Sequence, residues 1–355
     1  MPHSPPSTRL PAEWEPQSGV MLTWPHSQGD WAALFAQVEP VFLRLAAEIA
    51  RRESVLINCA SSAMAADIRA RLAARGAAAE RLFFAVVASN DTWARDHGPV
   101  TVLAQGKPVL LDFQFNGWGG KYAAALDNAL TGELSRRGGF GDTPVKRQDL
   151  VLEGGSIDTD GAGTLLTTRS CLLHPRRNPG LSHERIEQRL RDLLGVERVF
   201  WLKHGELEGD DTDGHIDMLA RFCTTQTIAY QSCTEAGYSA YRALETMEAE
   251  LAGLRTNAGD PYRLVALPWP GPKRAADGRR LPASYANFLV INGAVLVPAY
   301  ADPADDHAAQ QLQDCFPDRE IVQIPCLALI QQYGSLHCLT MQFPRGVELH
   351  APGAG

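Results

Sequence analysis

Residues 209–217 put four aspartates, two glycines and one histidine into nine positions. The apolar run after them reads as a strand over 216–222, and a strand sends alternate side chains to one face. His215 and Asp217 are therefore expected side by side. One exchanges protons near neutral pH, and the other can hold a cation. An acidic stretch before a strand is more often a solvated turn. Here the style recurs: compact polar clusters follow or open strands at 91–96, 153–160, 284–287 and 334–338.

The last cluster carries Cys338. A thiol whose ionisation is favoured is the strongest nucleophile a side chain offers. In a strand, His337 would point to the opposite face, which leaves His215 as the better partner in space. A cysteine among Leu336, Leu339 and Met341 also reads as a small core residue. Asp96, Glu153 and Asp217 each adjoin a glycine or a turn, where backbone can approach a ligand closely. Trp93 and Trp118 supply aromatic faces of the kind that bind cations. Three acids, an imidazole, a thiol and two indoles suit chemistry on a guanidinium. Carboxylates recognise that planar cation bidentately, and a thiolate can attack its carbon. Taken singly, each residue has a local alternative: turn acids, a surface hairpin for Glu153, core packing for the tryptophans.

The elements that must position these groups have a rhythm. Helices are expected from near 62, 122, 182, 238 and 304, with Ser61 and Ser182 as N-caps. An earlier helix over 31–52 is expected to be interrupted by Pro40. Strands are expected between the helices, among them 19–24, 55–59, 82–87, 165–168, 199–202, 264–267, 321–324 and 337–341. A strand–strand–helix–strand unit thus recurs about five times. Five such units closing in a ring would make one α/β domain of residues 1–355 and bring five loops to a common axis. Residues 1–9, rich in proline and serine and without the apolar run of a signal peptide, are expected to be flexible.

Bulk properties narrow the partners. Of 355 residues, 45% are hydrophobic and 21% charged, the balance of an ordinary globular chain. A net charge of −8 and an isoelectric point near 5.7 argue against nucleic acid and suit a small cationic partner. Seven cysteines without a CxxC pair suggest neither a disulfide framework nor a zinc ribbon, and fit a reducing, cytoplasmic compartment. No run approaches the roughly 18 apolar residues of a membrane span. Whether the chain forms a homo-oligomer is left open.

The motifs together carry a resemblance over nearly the whole chain. In order they are 10–16 (LPAEWEP), 90–96 (NDTWARD), 115–121 (FNGWGGK), 152–156 (LEGGS), 211–217 (DTDGHID), 284–288 (SYANF) and His337-Cys338. The chain resembles the agmatine deiminase branch of the bacterial-type peptidyl-arginine deiminase family, within the guanidino-group-modifying superfamily. The resemblance implies a five-bladed, pseudo-symmetric α/β propeller, the pentein fold. It implies hydrolysis of agmatine to N-carbamoylputrescine and ammonia with no cofactor and no metal. Cys338 matches the nucleophile, His215 the general acid/base and Glu153 the acid paired with that histidine. Asp96 and Asp217 match the clamps on the guanidinium, Trp93 a tunnel aromatic and Asn287 a supporting polar residue. The chain departs from the family pattern in the lead-in 332–336 and at Met218, which bears on the substrate more than on the reaction.

The far amine of agmatine needs an anionic or aromatic contact, for which Glu206, Glu208, Asp210 and Asp211 are candidates. Arginine and peptidyl-arginine are the alternative guanidines. Arginine would need a cation for its carboxylate, and alternation would turn Arg95 away. Two readings differ in class. Asp213-x-His215-x-Asp217 and Ser156-x-Asp158-x-Asp160 resemble pieces of the binuclear manganese ureohydrolase motifs, which work through a metal-activated water. The Asp-Pro expected after the second piece is absent. A guanidine or polyamine binder on the same fold would need no turnover.

Overall fold

A computed structural model describes residues 8–27 and 29–353. The recurring unit is a β-hairpin whose second strand lies parallel to a third, with a helix between them in sequence. Val100–Ala104 pairs antiparallel with Lys107–Gln114, which runs parallel to Val145–Val151 through helix Ala125–Arg136. Ile157–Thr159, Thr164–Thr168 and Arg198–Leu202 repeat the pattern with helix His183–Leu194. Ala220–Thr224, Thr227–Gln231 and Arg263–Leu267 do so with helix Tyr241–Gly253. Leu289–Ile291, Ala294–Ala299 and Glu320–Pro325 do so with helix Asp305–Cys315. The fifth unit uses both ends of the chain. Thr340–Pro344 pairs antiparallel with Gln17–Thr23, which lies parallel to Ser54–Cys59 through helix Phe35–Ala50. Leu82–Val86 adds a further parallel strand after helix Ser62–Ala73. Among the described residues the result is an α/β fold of five separate sheets.

Local chemistry explains the helices. His183–Leu194 buries Ile186, Leu190 and Leu194, spaced four apart on one face. Ser182 starts it by accepting from the Arg185 amide, and Gly195 ends it at φ +66°, a left-handed cap that glycine adopts without penalty. Ser61 accepts from the Met64 amide as expected. Pro40 does not interrupt its helix. Phe35–Ala50 runs through it after one 3-10 turn at Ala32–Leu34. Pro40 is exposed, and the buried face of Val38, Phe42, Leu45 and Ile49 holds the helix despite one lost backbone bond. Thr8 and Arg9 are not loose either, since they pair with Ala104 and Leu103. The rest of the stretch expected to be flexible, residues 1–7, lies outside the described residues. No helix among the described residues is long and apolar enough to cross a membrane.

The feature that positions the site is the entry to each hairpin. A tight turn precedes the first strand every time: Ala94–His97, Gly154–Ser156, Ile216–Met218, residues 284–287, and His337–Leu339. The strands expected from 216 and 337 start instead at Ala220 and Thr340. In a turn, neighbouring side chains need not alternate between faces, so His215 and Asp217 come together, as expected, through the turn and not through strand alternation. Ala94–His97 packs against both Gly154–Ser156 and His337–Leu339, and Gly154–Ser156 packs against Ile216–Met218.

A Cβ at position 195 would stand 2.0 Å from the Thr8 carbonyl oxygen. Gly195→Ala is therefore expected to lose more stability in urea denaturation than the roughly 1–2 kcal/mol of a left-handed alanine. Ser182→Ala, at the other end of the same helix, should lose about 1 kcal/mol.

Candidate active site

The turns deliver Asp96, Glu153, His215, Asp217, Asn287 and Cys338 to one buried place, none more than 4% exposed. Asn287 ties two of them. Its Nδ2 donates to Cys338 Sγ at 3.2 Å and to the Asp217 carbonyl at 3.3 Å. Its Oδ1 accepts from the amides of His337 and Cys338, at 2.9 and 3.4 Å. The Cys338 thiol faces Asp217 Oδ2 at 3.6 Å. His215 Nδ1 lies 3.6 Å from Asp96 Oδ1. Asp96 accepts from Trp118 Nε1 at 2.9 Å and from the Gly155 amide at 3.1 Å. A Cβ at Gly155 would stand 2.6 Å from His215 Nδ1, 2.9 Å from Asp96 Oδ1 and 3.2 Å from Asp217 Oδ2. Only glycine lets those three groups converge on the backbone.

Behind this front lies a layer of cations. Glu153 was expected to pair with His215. The structure gives it to Arg177, whose Nε donates to both carboxylate oxygens at 2.9 Å. Arg177 also reaches Asp213 Oδ2 at 2.8 Å and the Thr212 carbonyl at 2.9 Å. Arg177 and Glu153 are both wholly buried, and a charge-assisted bond to a permanent cation suits a carboxylate with no solvent. Glu153 stays close to the imidazole, its carboxylate, the Cys171 thiol and a His215 nitrogen all lying within 4.8 Å of one another. His337, expected to face away from Cys338, donates to the same Asp217 oxygen that the thiol faces, at 2.8 Å, and to Glu13 at 2.7 Å. Glu13 in turn meets Arg221 at 2.9 Å.

These contacts set the charges. Burial would lower the His215 pKa, but Asp96, Cys171 and Glu153 outweigh it and push it to about 10. Burial raises Asp96 to about 6, with Asp217 and Glu153 adding and His215 opposing. Burial would raise Asp217 too, but His337 holds it below the usual carboxylate range. Burial pushes the Cys338 thiol well above its ordinary value, and the Asp217 and Asp96 carboxylates push it further. The imidazole is thus a cation at neutral pH, and the thiol keeps its proton until something offsets the acids beside it.

A cavity of about 430 Å3 ends on Cys338 and Asp96. Its walls include Trp93, Trp118, Tyr122 and Tyr333, with Asp30, Asp91 and Asp211 among the remaining lining residues. Tyr333 belongs to the lead-in that departs from the family pattern, and Arg279 lies over its ring, 4.7 Å from the centroid. A Cβ at Gly334 would stand 2.4 Å from the Trp93 ring, so that glycine lets the lead-in lie flat on the indole. Of the four tail candidates, Asp211 alone lines this cavity, where it accepts from Tyr122 and pairs with Lys121 at 3.3 Å. Glu206 and Glu208 are exposed, and Asp210 accepts from Thr212 and Gly214 within its own turn. The pieces that resembled a manganese motif are held otherwise, Asp213 by Arg177 and Lys121, and Asp158 by Arg221.

The structure gathers Cys338, His215, Glu153, Asp96, Asp217, Asn287, Trp93, Trp118 and Asp211, all of them expected from the sequence. Arg177, His337 and Glu13 join the same cluster without having been expected there. Glu13 lay in a recognised motif, but nothing local in 10–16 points to a residue more than 300 positions away. Arg177→Met would leave Glu153 buried without its cation. It is expected to lose about 3–5 kcal/mol of stability, measured by urea denaturation, with part of the loss recovered when Glu153→Leu is added.

A family model for the Porphyromonas-type peptidyl-arginine deiminases matches residues 9–344. The agmatine deiminase of Stutzerimonas stutzeri is 35% identical over 94% of this chain and 95% of its own. A solved Porphyromonas gingivalis protein, provisionally named an arginine deiminase, is 47% identical with a TM-score of 0.89, covering 96% of this chain and 99% of that one. An agmatine deiminase of C. jejuni, solved with substrate bound, is 32% identical with a TM-score of 0.87, covering 96% and 97%. The chain belongs to the Porphyromonas-type peptidyl-arginine deiminase family.

Proposed function

We propose that this protein is an agmatine deiminase, hydrolysing agmatine to N-carbamoylputrescine and ammonia through a covalent thiouronium on Cys338. The observation that carries this reading is the lining of the cavity that ends on the thiol. Asp30, Asp91, Asp96 and Asp211 line it with four aromatic rings, and no lysine or arginine is among its described lining residues. Such a channel suits a substrate that is cationic at both ends. The carboxylate of free arginine would need a cation there, and the nearby Lys121 is engaged by Asp211 and Asp213. Relatives named agmatine deiminases in S. stutzeri and C. jejuni support the same substrate. We read the five units as blades of a propeller around the site, forming one catalytic domain in the cytoplasm. The equivalent place of each hairpin-entry turn and the seven free cysteines support this.

The geometry supports a sequence of steps. Asp96 and Asp217 hold the guanidinium, and Asp217 Oδ1, buried with no hydrogen-bond partner among the described residues, is available to accept from it. The cation offsets the two carboxylates that keep the thiol protonated, so the thiol releases its proton to solvent as substrate binds and the thiolate forms. Sulfur attacks the guanidinium carbon, held in line by the carboxylates. His215, already protonated, gives its proton to the departing ammonia. The neutral imidazole then takes a proton from the water that attacks the thiouronium. The C–S bond breaks, the hydroxyl proton of the adduct passes to solvent, and the ureido product leaves with the thiolate restored.

Purified protein in EDTA should convert agmatine to N-carbamoylputrescine and ammonia, and Cys338→Ala should not. Urea and putrescine as products, indifferent to that substitution, would overturn the reading in favour of a metal-activated water. Arginine assayed in parallel tests the activity suggested by the name of the P. gingivalis relative. Faster turnover of arginine than of agmatine would overturn the substrate.

Two further outcomes follow from the charges. Values of kcat/KM report the free enzyme, so they should fall below about pH 6, where Asp96 gains a proton, and above about pH 10, where His215 loses one. Trp118→Phe keeps the aromatic wall but removes the bond to Asp96. A hydrogen bond to a charged group contributes about 1.5–3 kcal/mol, so kcat/KM should drop by roughly ten- to a hundredfold.

A further inference from the structure

We propose that His337 and Glu13 are positioning residues that act through Asp217 to set the ionisation of Cys338. The inference rests on reading Cys338 as the nucleophile, and on no particular substrate. Its starting point is a shared atom. Asp217 Oδ2 accepts from His337 Nδ1 at 2.8 Å and faces Cys338 Sγ at 3.6 Å. A thiolate at that sulfur stands against two carboxylates, those of Asp217 and Asp96, and the Asn287 amide that donates to it at 3.2 Å is neutral. The second histidine of the site, His215, is held on the Asp96 side, 3.6 Å from that carboxylate.

His337 supplies the offset on the Asp217 side. Its Nε2 lies 2.7 Å from Glu13 Oε2. Glu13 is ionised, because Arg221, His337 and Arg95 outweigh the effect of its burial. With an acceptor-only oxygen at each ring nitrogen, both nitrogens are satisfied only as N–H donors, which is the charged imidazolium. The positive charge therefore sits on the oxygen that most opposes the thiolate. The groups facing the ring are Asp217 on one side and Glu13 on the other, with Arg221 at 2.9 Å and Arg95 at 3.6 Å beyond Glu13.

Glu13 is itself anchored at three points. Its Oε1 accepts from the Val290 amide at 2.7 Å, and its Oε2 meets Arg221 and His337. The ring is thus held from both ends, and the placing of Asp217 is tied to the segment that enters strand Gln17–Thr23. His337 and Glu13 line a second cavity, of about 620 Å3, which shares no lining residue with the one that ends on Cys338. His337 and the thiol meet at the Asp217 oxygen that they share, so the effect of the pair passes through Asp217.

The test reads the thiol without substrate. The rate of Cys338 alkylation by iodoacetamide is followed against pH, with the modified residue identified by mass spectrometry after digestion. In His337→Gln the neutral amide keeps a donor but loses the charge. The thiol titration should move up by about one unit, a roughly tenfold slower alkylation at any pH below its midpoint. Glu13→Gln should move it in the same direction by less, and carries the test if His337→Gln does not fold. A purely structural role predicts the opposite sign, since a loosened site would expose the thiol and speed its alkylation. An unchanged or faster profile in whichever variant folds would overturn the proposal. Absence of agmatine turnover by the unsubstituted protein would overturn the function proposed above and leave this inference standing on its own measurement.

Discussion

Several acids are buried against one another with almost no water, and the site exists because each has been given a cation. Glu13, Asp96, Glu153 and Asp217 are each at most 8% exposed. A carboxylate alone in such a place takes up a proton and ceases to be a charge. Arg221 and His337 hold Glu13, Arg177 holds Glu153, His337 holds Asp217, and His215 stands beside Asp96. The pairing is uneven in a way that matters. The rear acids are met by guanidinium groups at hydrogen-bond distance, whereas Asp96 has the imidazole at 3.6 Å and two neutral donors, an indole N–H and the Gly155 amide. Asp217 keeps one oxygen without a hydrogen-bond partner among the described residues. The front of the cluster is therefore where a further cation is best received.

The cavity walls extend the same logic outwards. Trp31 packs on Trp93 at 5.6 Å and Phe115 on Trp118 at 4.9 Å, so the two indoles that flank the cavity are backed by other rings. Rigid aromatic walls with acids between them attract a cation and exclude water, and low polarity strengthens every electrostatic contact inside. Asp91 illustrates the tension. Burial, with the Asp30 charge adding, raises it to about 6. An incoming ammonium or guanidinium would relieve that pressure, which couples recognition of the substrate to the charge state of the walls.

Much of this was legible in the chain. Helices expected near 62, 122, 182, 238 and 304 begin at Ser62, Ala125, His183, Tyr241 and Asp305, because amphipathic spacing and serine caps are local signals. Turn residues mark the five hairpin entries for the same reason. What misled was the assumption that a strand starts where the apolar run starts. At 216 and 337 the backbone makes one 3-10 turn first, so His215 and Asp217 meet as expected but for a different backbone reason. His337 was read as facing away from Cys338, and it does line a different cavity, yet it shares an Asp217 oxygen with the thiol.

The sequence by itself determined which chemical groups stand at each hairpin entry and how often the unit recurs, since both depend on residues a few positions apart. Only the tertiary structure decided who pairs with whom. Glu153 chose Arg177 over His215, and Glu13 met His337 and Arg221 across most of the chain. Those choices follow from distance and solvent exclusion in the assembled core, where a buried charge takes the partner with the best geometry. No spacing along the chain encodes that distance.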